Sequence, residues 1–453
     1  MGVLAAYGVK DVATRIYYGL HNLQHRGQEG GGIATFDEEG HYYRYRGLGL
    51  LSEIFTDGEV TRLKGSLGMG SVKYANASKG GLDNVEPLFF HHRSGDFAVA
   101  ADGNVVNSRQ IVAYLEKRGT IFQTGTDSEL LAHLVKKNAG EDRIVNIVKA
   151  LNMMEGGFAV VIMTPNRIYA ARDKHGIKPL CIGTLDGGYV VSSESCAFSI
   201  MGAQFLRDVK PGEIVSLDLH GIRSTLYSRF SRYRMCAMEF IYFARPDSDI
   251  DGCNVHAYRE EAGRRLAREC PVEADMVVGV PESSLSAAMG YSQESGIPYE
   301  MGLVKHKYVG RTFIEPTQDM RELGVKMKLS PVQSIVGGKR IVLVDDSIVR
   351  GTTSLKIVKM LREAGATEVH VRIASPMMRF TCHYGVDTST PEELLCSHRT
   401  LEEARQAIGA DSLGYLSPES TRESAFGCAD PCQACFTGEY PTLLYDDLNE
   451  SED

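Results

Sequence analysis

Two adjacent carboxylates, Asp345 and Asp346, close the apolar run Ile341–Val344, and a polar stretch with Ser347, Arg350, Gly351, Thr352 and Thr353 follows them. This order suits a sugar phosphate and a metal ion. Paired carboxylates can hold ribose hydroxyls directly and Mg²⁺ directly or through water. A loop that runs into a helix turns its backbone N–H groups, aided by the helix dipole, towards a phosphate. Gly351 lets the backbone approach closely, and the hydroxyls of Ser347, Thr352 and Thr353 add donors. A plain helix start capped by Asp346 or Ser347 would need only one of these acids and no Gly-Thr-Thr run.

Such a loop requires a strand before it and a helix after it. "KRIVLVDDSIVRGTTSLKIVKMLREAGATEVHVRIASP" reads as strand, loop, helix and strand, with Leu355, Val358 and Leu361 facing inward and an end near Gly365. "ADMVVGVPESSLSAAMGYSQESG" reads as strand, loop and helix. Together they predict a parallel sheet with its ligand outside the carboxyl ends of the strands. The first half differs. "VATRIYYGLHNLQHRG" places Val12, Ile16, Leu20 and Leu23 at helical spacing, "GGIATFD" and "HYYRYRG" predict strands, and "GFAVVIMTPNRIYAARD" predicts a hairpin. "DSELLAHLVKKN" predicts a helix opened by Asp127 or Ser128. Strands and helices do not alternate regularly here, so a layered α+β domain is expected. The predicted join lies near residue 232, giving domains 1–232 and 233–453.

A chain of 453 residues exceeds one ordinary core, in keeping with more than one domain. Hydrophobic content of 43% and charged content of 24% are those of a soluble globular protein. A net charge of −9 without a long basic run argues against nucleic acid as the main partner. No apolar run approaches the length of a membrane span, and the opening "MGVLAAYGVKDV" shows no secretory pattern, so a cytoplasmic location is expected. The ten cysteines are then thiols or metal ligands rather than a disulfide scaffold. "CADPCQACFTG" spaces Cys428, Cys432 and Cys435 somewhat as in the cluster motif of radical S-adenosylmethionine enzymes, but no barrel follows it.

The loop at Asp345 resembles the binding loop of type I phosphoribosyltransferases for phosphoribosyl pyrophosphate (PRPP). "YFARPDS", "VPESS", "KHKYVGRTFIEP" and "ELGVKMKLSPV", with "LQHRGQE", "GTDSELL" and "VKPGEIV" in the first half, extend the likeness over nearly the whole chain. They resemble glutamine phosphoribosylpyrophosphate amidotransferases, which open purine synthesis. The resemblance implies an N-terminal nucleophile (Ntn) α+β glutaminase-type domain and an α/β type I phosphoribosyltransferase domain. It implies that Asp345 and Asp346 hold ribose and Mg²⁺, that Ser283 joins the metal site, and that Ser347 to Thr353 cradle the 5′-phosphate. Lys305 and Arg311 would belong to a loop closing over pyrophosphate. One branch of the family carries a [4Fe–4S] cluster, and Cys236, Cys382, Cys432 and Cys435 match its ligands through "MCAMEF", "TCHYG" and "CQACFTGEYPT". Four thiolates suit iron–sulfur, with Zn²⁺ as the alternative. Purine-nucleotide inhibition and a homo-oligomer, often a tetramer, are further implications.

The glutaminase positions depart from the family pattern. Met1 stands in the place of the nucleophilic cysteine, and a thioether cannot form an acyl-enzyme. Lys73 replaces the arginine that grips the glutamine carboxylate. Asp102 replaces the asparagine donor of the oxyanion hole, where a carboxylate would repel the oxyanion. Gly103 and Asp127, which would supply an N–H and hold the substrate amine, are retained. The sequence therefore predicts a PRPP-dependent transferase with a degenerate glutaminase site, using free ammonia or ammonia from a separate glutaminase. A PRPP- or purine-nucleotide-binding regulator is the alternative of a different class, and another amine acceptor is a third.

Overall fold

The computed structural model describes residues 1–56, 58–74, 80–93, 95–137, 142–228, 233–306, 329–388, 390–427 and 430–445. The first part is an αββα sandwich. Its seven-stranded antiparallel sheet runs in the order Gln204–Asp208, Cys181–Leu185, Gly188–Ser192, Gly2–Tyr7, Leu67–Lys73, Gly30–Phe36 and Tyr42–Leu48. The six-stranded antiparallel sheet runs Gly221–Leu226, Glu213–Asp218, Arg167–Arg172, Gly156–Thr164, Phe97–Val105 and Leu88–Phe90. Alternation along Gly2–Tyr7 explains the layering. Val3 and Ala5 join Ala98, Ala100, Ala159 and Val161 between the sheets, while Leu4 and Ala6 join the core of the helix Val12–Asn22. The helices Ser108–Glu116, Asp127–Lys136 and Arg143–Met153 cover the other outer face.

The second part is α/β. Met276–Gly279, Arg340–Asp345, Glu368–Ile373 and Ser412–Tyr415 form a parallel sheet in that spatial order. The helices Val255–Glu269 and Leu285–Ser295 belong to one core, and Thr352–Glu363 and Leu401–Ile408 to another. Gly263 and Gly290 allow the first two helices to touch: a Cβ on Gly263 would meet the Ala287 carbonyl oxygen at 1.9 Å, and one on Gly290 that of Glu260 at 1.9 Å. This contact fixes the helix that follows Ser283 and Ser284.

The predicted element types hold, with two local corrections. Leu355 is exposed, whereas Ser354, Ile357, Val358 and Leu361 face inward. These four lie at i, i+3, i+4 and i+7, and Leu355 is one residue further round the helix. The helix Asp127–Lys136 is capped by Thr126, whose hydroxyl accepts from the Glu129 N–H, and not by Asp127 or Ser128. The expected join at residue 232 lies outside the described residues.

Candidate active site

The strand Arg340–Asp345 carries its acids to the carboxyl end of the parallel sheet, as expected. Beside it, the turn after Met276–Gly279 supplies two serines. Ser284 Oγ donates to Asp345 Oδ1 at 2.9 Å, and Ser283 Oγ donates to Asp346 Oδ1 at 2.8 Å. Ser347 Oγ donates to Asp346 Oδ2 at 2.9 Å. Burial, and then the neighbouring Asp346, push the Asp345 carboxyl well above the usual carboxylate range. The set is made of hard oxygen donors around two acids and fits Mg²⁺.

Gly351 adopts φ 78°, a left-handed conformation, and a Cβ there would meet Leu395 at 2.9 Å. Thr352 and Thr353 open the helix Thr352–Glu363 and are exposed. Arg350 lies beside them and pairs with Glu393 at 2.6 Å. Lys305 ends the strand Leu303–Lys305, half exposed, with Nζ 4.0 Å from Glu282. Arg311 and most of the predicted closing loop lie outside the described residues.

A pocket lies in the first part, lined by Met1, Lys73, Glu86, Asp102, Gly103 and Asp127 among others. Gly385, from the second part, completes its wall. Lys73 ends the strand Leu67–Lys73 and donates Nζ to the Asn84 carbonyl. Asp127 Oδ2 accepts from the Val105 N–H at 2.9 Å. Burial pushes the Glu86 carboxyl up to about 7, against a hydrogen bond from the Ala101 N–H.

Asp102 is buried and surrounded by cations. Its Oδ1 lies 3.3 Å from the Met1 α-amino group and 3.9 Å from Lys178 Nζ, and its Oδ2 accepts from Arg26 Nη2 at 2.9 Å. Burial opposes its charge, but the Met1 amine, Lys178 and Arg26 hold its carboxyl well below the usual range. Arg26 Nε also donates to the Met1 carbonyl at 2.9 Å.

A family model described as "Glutamine amidotransferase domain" matches residues 82–199, and one described as "Phosphoribosyl transferase domain" matches residues 256–379. Amidophosphoribosyltransferase of Bacillus subtilis is 50% identical over 98% of this chain and 95% of its own length. That of Staphylococcus aureus is 46% identical over 98% of this chain and 91% of its own. The chain belongs to the amidophosphoribosyltransferase family. The solved B. subtilis glutamine PRPP amidotransferase, complexed with ADP and GMP, superposes with a TM-score of 0.94 at 49% identity, covering 99% of this chain and 98% of that one. A second structure, described as the allosteric regulatory enzyme of purine biosynthesis, gives 0.94 at 50% identity over 99% and 97% of the two chains.

The fold is thus that of the amidophosphoribosyltransferase family, an Ntn-type glutaminase domain joined to a phosphoribosyltransferase domain. The span matched as glutamine amidotransferase contains Asp102, Gly103 and Asp127, while Met1 and Lys73 lie before it.

The four cysteines expected as cluster ligands come from segments that lie near one another. Cys236 and Cys432 form an isolated parallel bridge, with the Ala237 N–H donating to the Cys432 carbonyl at 3.1 Å. Cys435 accepts backbone bonds from Arg379 and Phe380, just before Cys382. Burial, and then Cys382 and Cys236, push the Cys435 thiol up. The donor chemistry suits an iron–sulfur cluster or Zn²⁺. Among the described residues, however, no three His, Cys, Asp or Glu side chains are gathered at metal-holding distances. Cys428 lies outside the described residues. No described helix is long and apolar enough to cross a membrane.

Sequence reading alone missed Glu86, Arg26, Lys178, Glu194, Glu239, Ser284 and Arg259. Arg26, Glu239 and Ser284 sit inside motifs quoted for the resemblance, "LQHRGQE", "MCAMEF" and "VPESS". What they do is set by partners far along the chain, which no local spacing shows.

Proposed function

We propose that the chain forms 5-phosphoribosylamine from PRPP and ammonia in purine synthesis, and that its first domain no longer hydrolyses glutamine. The observation that carries the transferase reading is the acid pair Asp345–Asp346, each acid held by a serine from the adjacent strand's turn. Ammonia attacks C1 of the ribose, the C1–O bond to pyrophosphate breaks, and the new amine sheds a proton. Asp345 and Asp346 would hold the ribose hydroxyls and Mg²⁺, with Ser283 beside them. Ser347, Arg350, Gly351, Thr352 and Thr353 would seat the 5′-phosphate, which backbone N–H groups at the helix start favour. Lys305 and Arg311 would face the leaving pyrophosphate, whose charge makes electrostatic stabilisation the main demand. Mg²⁺, when bound, would neutralise part of that charge.

Loss of glutamine hydrolysis is supported by three changes in one pocket. The residue joined to Gly2 is methionine, which offers no thiolate. Lys73 cannot give the planar two-point grip of an arginine. The Asp102 carboxylate is engaged by Met1, Arg26 and Lys178 and has no amide N–H to donate to an oxyanion. Gly103 and Asp127 remain in the pocket wall. Ammonia would come from solution or from a separate glutaminase.

The domains are assigned to 1–232 and 233–453. Cys236, Cys382, Cys432 and Cys435 would hold a [4Fe–4S] cluster, or Zn²⁺, and tie the C-terminal segment to the domain. Purine nucleotides are the inhibitors to test, since a relative was solved with ADP and GMP, and a homotetramer is the assembly the family resemblance implies. The deciding experiment measures pyrophosphate release from Mg²⁺–PRPP with glutamine or ammonium as donor, on protein whose N-terminal residue is established by mass. Release with ammonium alone is expected. Release with glutamine overturns the reading of Met1, Lys73 and Asp102, and release with neither favours a PRPP- or nucleotide-binding regulator or another amine.

A further inference from the structure

Arg26 lies at the start of a line of polar contacts that crosses from the first domain to the helix Val255–Glu269. Its guanidinium meets Glu239 through two bonds, Nη1 to Oε2 at 2.7 Å and Nη2 to Oε1 at 2.8 Å. All these atoms are buried: the side chain of Arg26 is 3% exposed and that of Glu239 0%. The same guanidinium holds Asp102 in the first domain's pocket and Glu194 at 2.7 Å. Lys178 adds a second cation 3.5 Å from Glu239.

Glu239 begins the π-helical turn Glu239–Phe243, and its carbonyl accepts from the Ala244 N–H at 2.9 Å. The far side of this turn is gripped by Arg259, from the helix Val255–Glu269. Arg259 Nε donates to the Phe240 carbonyl at 2.7 Å, and Nη2 donates to the Ala244 carbonyl at 2.7 Å. The helix Val255–Glu269 packs in turn on Leu285–Ser295, the helix that follows Ser283 and Ser284, and His256 Nδ1 lies 2.9 Å from Ser286 Oγ across that contact. Glu194 also holds the next stretch, accepting from the Arg245 N–H at 2.9 Å and the Ser248 hydroxyl at 2.7 Å. The turn is therefore fixed from one side by the first domain's arginine and from the other by an arginine of the helix that packs on the one following Ser283 and Ser284.

We propose that Arg26 and Glu239 are positioning residues for the transfer site: their paired contact fixes the turn Glu239–Phe243, to which Arg259 ties the helix Val255–Glu269, and this helix seats the one that follows Ser283 and Ser284. Through this contact the first domain sets the geometry of the acid pair, whether or not it turns over glutamine. The inference rests on reading Asp345 and Asp346 as the Mg²⁺–PRPP site. A buried carboxylate–guanidinium pair joined through two nitrogens has one preferred geometry, so loss of either partner releases the turn rather than shifting it slightly.

The test compares Glu239→Gln with Asp251→Asn, which breaks a different contact between the domains, that of Arg172 with Asp251. Mg²⁺–PRPP binding by calorimetry, ammonium-dependent pyrophosphate release and melting temperature are measured on the full chain. Glu239→Gln is expected to raise the half-saturating Mg²⁺–PRPP concentration roughly tenfold, in the range seen when groups that orient metal ligands are removed. Asp251→Asn is expected to lower the melting temperature and leave half-saturation unchanged. Equal shifts in both variants, or a Glu239→Gln change in melting temperature alone, overturn the proposal. Where Glu239→Gln does not fold, Arg26→Lys, which keeps the charge and loses the two-nitrogen grip, carries the same comparison. Wild-type protein that binds no Mg²⁺–PRPP overturns the site reading and this inference together; wild-type binding with an unmoved variant overturns this inference alone.

Discussion

Arg172, in the first part of the chain, and Asp251, just before the helix Val255–Glu269, are joined by two bonds, Nη1 to Oδ1 at 2.8 Å and Nη2 to Oδ2 at 2.7 Å. Arg172 is fully buried, and its remaining donors go to the carbonyls of Lys178, Val209 and Gly176. Removing one member leaves the other buried without its counter-charge. Arg172→Met is expected to cost about 3–5 kcal/mol in urea unfolding. A loss within about 1 kcal/mol, the scale of a surface pair, would contradict this role.

Glu86 makes the stability of the first domain depend on pH. Its folded-state pKa, about 7, is raised above the ordinary 4.5 by burial. Its contribution is therefore complete below the unfolded value and is lost as pH rises through about 7. The stability of the wild type relative to Glu86→Gln should fall between about pH 4.5 and pH 8, by up to about 3 kcal/mol. Urea unfolding of both proteins across this range checks it; a difference that does not vary with pH would sink it.

Ser284 should govern metal use without touching the metal. Its hydroxyl orients Asp345, and Ser284→Ala is expected to raise half-saturating Mg²⁺ roughly 10- to 100-fold in pyrophosphate release. Because Asp345 holds its proton above the usual carboxylate range, a metal must displace that proton. Half-saturating Mg²⁺ should then fall as pH rises, which a titration at several pH values measures.

Restoring a thiol should not restore glutamine hydrolysis. Met1→Cys leaves Lys73 and Asp102 in place, and glutamine-dependent ammonia release is expected to stay at background. Adding Asp102→Asn removes the anion that faces Met1, Arg26 and Lys178, and is expected to cost about 3–5 kcal/mol of stability. Vigorous hydrolysis by the single variant would show that Asp102 does not block an oxyanion.

For the four thiols, metal analysis distinguishes the outcomes. Iron with acid-labile sulfide is expected in protein purified without oxygen, and Cys435→Ser should lose both and melt at a lower temperature. Zinc without sulfide would favour the alternative. Neither metal, with an unchanged melting temperature in the variant, would leave these residues as buried thiols.

The parts legible in the sequence are those encoded by short spacing. The run Ile341–Val344 followed by two acids specifies a strand end, and the period of Val12, Ile16 and Leu20 specifies a helix face, because both depend on neighbours within a few residues. The inward face of Thr352–Glu363 departs from expectation at Leu355 because an apolar residue near a helix start has two registers open to it, and Ser354 takes the buried one. The buried ion cluster is not legible at all. Arg26 meets Glu239 across 213 positions, and Asp102 across 76, and nothing near either residue marks it as a partner.

The place of Gly2–Tyr7 within its sheet has a consequence for synthesis. This first strand is paired on one side with Leu67–Lys73 and on the other with Gly188–Ser192. At ordinary elongation rates, roughly 10–40 s separate its emergence from that of its last neighbour. During that interval the nascent chain carries an apolar strand with both edges unsealed at first, and one still open after Leu67–Lys73 has paired. A chaperone that shields this strand, or a slowed stretch of translation before Gly188, would therefore act on the step at which this domain is most open to mispairing.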